Sequence, residues 1–121
     1  MAQQTSQFEH AVSQIRQALS GPVTAEWGWQ LRSHLRSLRV AMVTEPSVSE
    51  GWLAARCAQA QRERHALIAR IAQLSPIVLA GDAVEDVRET VEKLLHDVER
   101  HRQRVHDLIY DAVSLELGGS E

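Results

Sequence analysis

Lysine is nearly missing from this chain: of its 13 basic residues only Lys93 is lysine, and the rest are arginine. Cysteine is reduced to Cys57, which excludes an intrachain disulfide and suits a reducing compartment. Aromatic residues make up 4% of the chain, so a core must be filled by Leu, Val, Ile and Ala. No apolar run approaches the length of a membrane span. Met1–Gln14 lacks the charged start and apolar run of a signal peptide, and the expected location is cytoplasmic. A basic excess is missing too. The net charge of −3 argues against nucleic acid as a partner, because little counterion release from phosphates is available. Period-two alternation of β-branched residues is found nowhere, and no strand is expected.

What is present is helical periodicity with clear punctuation. The 121 residues suit one domain, 1–121, with 1–5 and 118–121 frayed. Ser6 and Glu9 read as a capping box opening a first helix over about 6–20, whose apolar face is Phe8, Val12, Ile15 and Leu19. Ser20-Gly21-Pro22 stops it. Thr24 is expected to cap a second helix over about 25–44, with Trp27, Leu31, Leu35, Leu38 and Met42 inward and Glu45-Pro46 as its end. Ser47 and Glu50 form the box of a third helix over about 48–80, with a kink near Pro76 and a stop at Gly81. Asp82 and Glu85 open a fourth over about 83–116, in which Val84, Val87, Val91, Leu94, Val98, His101, Val105, Leu108, Ala112 and Leu115 step by threes and fours. Short connections favour antiparallel neighbours. The expected fold is all-α, an up-down-up-down antiparallel four-helix bundle.

Six histidines in such a chain are worth placing. At about 100° per residue, His101 falls inside the stripe of the fourth helix and His34 on the edge of the second. Arg64 points near the middle of the third helix's apolar face, His65 lies on its flank, and Arg102 is on the core side of the fourth. Folding the third and fourth helices back around Gly81 sets His101 opposite Gln61. Folding the second and third around Pro46 sets His34 near the same level. The expected result is a polar layer of His34, Gln61, Arg64, His65, His101 and Arg102.

Three readings of that layer are open. It is a hydrogen-bonded structural layer, a ligand or metal site, or a surface or interface feature. As a ligand site it rests on Arg64, Arg102 and Gln61, because guanidinium forks pair with anions. As a metal site it rests on His34, His65 and His101. Inward carboxylates are short: Glu63, Asp97 and Glu99 read as lateral, and Glu45 faces the core but lies far along its helix. Cys57 lies on an apolar face without an activating base and reads as an inert thiol. Trp29, Val40 and Val43 point away from the core and form a second apolar strip fit for another chain.

The run Glu63-Arg64-His65-Ala66-Leu67-Ile68-Ala69-Arg70-Ile71 and the helix holding Glu99-Arg100-His101-Arg102 resemble helices of the hemerythrin-like (HHE, cation-binding) family. The resemblance covers the second to fourth helices and implies a four-helix up-down bundle. In members with an intact site it implies a di-iron centre that binds oxygen or reacts with it. Carried over, it places His34, His65 and His101 at ligating positions. The family's His-x-x-x-Glu is not kept, since residue 38 is Leu and residue 69 is Ala, and His106 stands where a carboxylate often follows the last helix's His. It therefore implies a member whose site is lost or reshaped. The leading expectation is a non-enzymatic interaction or assembly protein without a cofactor, partnered by a second copy or another protein. The alternative is a protein that binds iron, another divalent metal or a small ligand.

Overall fold

The structure, a computed structural model, describes residues 2–45 and 53–118, with side chains over 7–45 and 53–114. Four helices follow one another: α1 (Ala2–Ser20), α2 (Trp27–Val43), α3 (Ala54–Ala80) and α4 (Val84–Gly118). Among the described residues there is no strand, and no helix is long and apolar enough to cross a membrane.

Several boundaries differ from the local signals. α1 begins at Ala2, so Ser6 lies inside it rather than capping it. Nothing in Ala2–Thr5 breaks a helix, and propagation costs less than nucleation. α2 begins at Trp27, with Glu26 as N-cap and no side-chain cap bond. Thr24 instead shapes the turn ahead of it: its hydroxyl accepts from the Glu26 N–H at 3.3 Å and its carbonyl from the Trp27 N–H at 3.1 Å. α3 starts at Ala54, and the Ser47–Glu50 capping box lies outside the described residues. Pro76 neither ends α3 nor shortens it. Ala72 and Pro76 both lie on the side of α3 away from its buried stripe, so the Ala72 carbonyl, deprived of its usual N–H partner, is open to water.

Gly81 stops α3 as expected, in the left-handed region at φ 73°. A Cβ there would meet nothing within 4 Å, so Gly81→Ala carries only the conformational penalty. It is expected to cost about 1 kcal/mol in urea unfolding.

α1 packs on α2, α2 on α3, α3 on α4, and α4 returns to α1. The core is filled by Ile15 and Leu19 of α1, Leu31, Leu35 and Met42 of α2, Ile71 and Val78 of α3, and Val91, Leu94 and Val98 of α4. All lie on the expected stripes. Gly28 lets α2 approach the end of α3, since a Cβ there would stand 3.0 Å from the Val78 carbonyl oxygen. A second, smaller cluster of Leu53, Cys57 and Leu108 lies farther along α3 and α4. Cys57 is a buried free thiol. Cross-helix pairs set the register. Residue 28 meets 78 and residue 45 meets 64, pairs whose numbers average near 54 rather than the 46 expected from Pro46. Arg70 meets Asp97 and Arg56 meets Asp111, pairs whose numbers average near 83, close to the 81 expected from Gly81.

Candidate functional site

His101 stands on α4 between Val98 and Val105, where the three-four step of the apolar stripe aims it inward, and it is 1% exposed. Its level lies between the main core and the smaller cluster of α3 and α4. Both ring nitrogens are occupied. Nδ1 lies 2.6 Å from Glu63 Oε1 and Nε2 lies 2.9 Å from Glu45 Oε2. A neutral imidazole has one N–H to give, so two carboxylate neighbours select the doubly protonated imidazolium.

The electrostatics agree. Burial alone pushes the pKa of His101 down, but the hydrogen bonds and charges of Glu45 and Glu63 outweigh it and hold the value above the ordinary 6.5. For Glu63 burial works upward. The bond to Arg104, then that to His101 and both positive charges, outweigh it and hold the carboxyl below its ordinary 4.5. Arg104 grips Glu63 as a fork, Nε donating to Oε1 at 3.1 Å and Nη2 to Oε2. Two carboxylates thus face two cations. Arg64 completes the cluster by donating from Nη1 to the Glu45 backbone carbonyl at 3.1 Å. Glu45, at the exit of α2, is therefore held by its side chain to α4 and by its backbone to α3.

This closure limits the chemistry. The ring has no free lone pair to accept a proton or bind a metal, and its carboxylate partners sit on different nitrogens, so their oxygens do not converge on one point. Among the described residues no group of three or more His, Cys, Asp and Glu is placed to hold a metal ion. His65 is exposed on α3. His34 is half-buried beside the α1–α2 link, where burial and the charge of His10 lower its pKa. His34 lies beside the α1–α2 link, His65 is exposed on α3 and His101 is buried on α4, so the three are not brought together.

The expected polar layer is corrected in the same way. Gln61 and His65 are exposed, one helical step beyond the stripe that runs through Ala60, Glu63, Arg64 and Leu67. Arg102 is inward but lies on the α1 side, its guanidinium 4.2 Å above the Phe8 ring. Glu45 and Glu63, read as too distant and as lateral, are the true partners of His101. Glu63 was detectable, standing four residues before Leu67 on the inner stripe. Glu45 was hidden by the turn expected at Pro46, since the observed pairing of residue 45 with 64 brings it, and not His34, to His101.

The cluster predicts a pH profile. A folded pKa above 6.5 means that His101 contributes its full stabilisation below about 6.5 and loses it as pH rises through the raised value. Glu63, lowered from 4.5, contributes above that value and loses its part as pH falls through the lowered one. Urea unfolding is expected to show greatest stability between these limits, with an alkaline decline no steeper than about 1.4 kcal/mol per pH unit. That decline should be missing in Glu45→Gln/Glu63→Gln, where the imidazolium has lost its partners.

No protein-family model, curated protein or solved structure matches this chain.

Proposed function

We propose that this chain is an up-down-up-down antiparallel bundle acting as a non-enzymatic interaction module, docking an acidic helical segment of a partner protein on the outer face of α2. The carrying observation is that face itself. Trp29, Val40 and Val43 are 65%, 53% and 57% exposed, and α2 holds Arg32, Arg36 and Arg39 without a single carboxylate. The chain as a whole is acidic at −3, so this basic helix stands out against its own background. At about 100° per residue Trp29, Arg36, Val40 and Val43 share one side, opposite Leu31 and Leu35. The Arg32 guanidinium lies 5.6 Å from the Trp29 ring centroid. Trp and Arg are among the residue types that most often dominate binding energy at protein interfaces.

Charge favours an acidic partner over a second copy, because α2 against α2 would crowd the arginines of both chains together. The topology rests on the pairings of residues 28 with 78, 45 with 64 and 70 with 97. In this reading the hemerythrin-like resemblance supplies architecture, with an ionic cluster where that family holds metal. A cytoplasmic setting belongs to the same proposal.

The test is affinity capture followed by titration of each captured protein with purified wild type and Arg32→Glu/Arg36→Glu. At least about tenfold weaker binding by the variant, at an unchanged thermal midpoint, is expected for a partner with an acidic helix. Equal binding by the two forms overturns the proposal. So does light scattering that shows a dimer at tens of micromolar dissolved by the same substitutions, since the occupant is then a second copy.

A further inference from the structure

α1 and α4 touch more sparsely than the other neighbouring helices. On α1, Ser13, Gln17 and Ser20 face Glu99, Gln103 and His106 of α4 across a groove of about 600 Å³. Ser13 and Ser20 are too short to reach across, and the longer polar side chains opposite them do not interdigitate as leucines do, so space remains above an apolar floor. That floor is Phe8 and Val12. The volume lies within the range of small-molecule sites, about 300–1,000 Å³.

One charged group is fixed inside it. Arg102 is 14% exposed, and its guanidinium is held 4.2 Å above the Phe8 ring. Among the described residues its nearest carboxylate is Glu9, at 3.8 Å, too far for a hydrogen bond. Glu9 is itself 69% exposed, so water competes for its carboxylate. The groove's other carboxylate, Glu99, is neutralised by Arg16 in an ion pair that bridges α1 and α4 at the edge. Of the four charged side chains Glu9, Arg16, Glu99 and Arg102, the Arg102 guanidinium is the most deeply held, a fork of donors in a cleft with an apolar floor.

We infer that the α1–α4 groove is a binding site for a small organic carboxylate with an apolar body. The carboxylate takes the Arg102 fork in place of Glu9, and the body lies along Val12 and the edge of Phe8. The inference is independent of the α2 face, which lies on a different helix.

The probe is 3-phenylpropionate, with 3-phenylpropanamide as its uncharged counterpart, followed by amide chemical shifts in nitrogen-15 spectra of the full chain. Saturable shifts confined to α1 and α4 are expected, with a dissociation constant below about 1 mM and at least tenfold weaker binding of the amide. Arg102→Gln should abolish binding. Ser13→Trp fills the groove from an exposed position without replacing a core side chain, and should abolish it too. Glu9→Gln removes the competing carboxylate and should tighten binding at least about twofold. Any one of four results overturns the inference: no saturable shift at about 10 mM probe, equal binding of acid and amide, wild-type binding by Arg102→Gln or by Ser13→Trp, or groove resonances that broaden with protein concentration and ignore the probe.

Discussion

His101→Leu is expected to lower the unfolding free energy by about 3 kcal/mol, measured by urea denaturation near pH 6. Removing one member of a buried ionic cluster typically costs roughly 3–5 kcal/mol, and the low end applies here for two reasons. Glu63 keeps its Arg104 fork after the substitution, and its side chain is 27% exposed. Glu45 is the costly survivor: it is 13% exposed, and its carboxylate loses the imidazolium without a replacement. If unpaired carboxylates are the cause, removing them should repair the damage. His101→Leu/Glu45→Met/Glu63→Met is expected within about 1 kcal/mol of wild type, since well-packed apolar groups often equal a buried ionic cluster in stability. A triple variant no better than the single one would show that the cluster acts by shape and not by charge. Coupling between His101 and Glu45 in a double-mutant cycle should reach about 2 kcal/mol, as befits residues sharing one network.

Trp27→Ala is expected to cost about 4 kcal/mol, the loss typical of a large buried aromatic side chain. Trp27 opens α2 and is 4% exposed, and its Nε1 donates to the Ala18 carbonyl at 2.8 Å. Arg88 lies 5.9 Å from its ring centroid and donates to the Gly21 carbonyl at 3.1 Å, so one indole ties the α1–α2 link to α4. Trp27→Phe keeps most of the apolar volume and leaves the Ala18 carbonyl without its donor, for an expected cost of about 1–2 kcal/mol. Trp29→Ala is the control two residues away. Its side chain stands in water, and its unfolding free energy should stay within about 0.5 kcal/mol of wild type. A comparable loss at Trp29 would place that indole in the fold and not on an open docking face.

The different fates of these neighbouring indoles are legible in the sequence, because a turn of about 100° per residue assigns Trp27 to the stripe of Leu31 and Leu35 and Trp29 to the opposite side. The same rule puts His101 inside and Cys57 on an apolar face, and Gly81 marks the end of α3. Helix starts are less legible. Ser6 and Thr24 carry capping chemistry, yet a cap acts only where the chain upstream is not already helical, and α1 runs through Ser6 while a turn occupies Thr24. The polar layer failed for a different reason: Gln61 and His65 sit only one step off the inner stripe, and angles alone do not separate a flank from a face.

The amino-acid order by itself determined four amphipathic rods, the side each buries, and the inward aim of the imidazole on the last one. Those properties are local, set by side-chain spacing along a single helix. Which group meets that imidazole was decided only when the rods were laid together. Their relative height is fixed by how the helices pack, and the observed pairing of residue 45 with 64 carries Glu45 to a nitrogen that a turn at Pro46 would have left facing His34. Side-chain periodicity records direction about a helix axis, whereas the height of one helix against another is a property of the connection and of the packing, and it is written in no single segment.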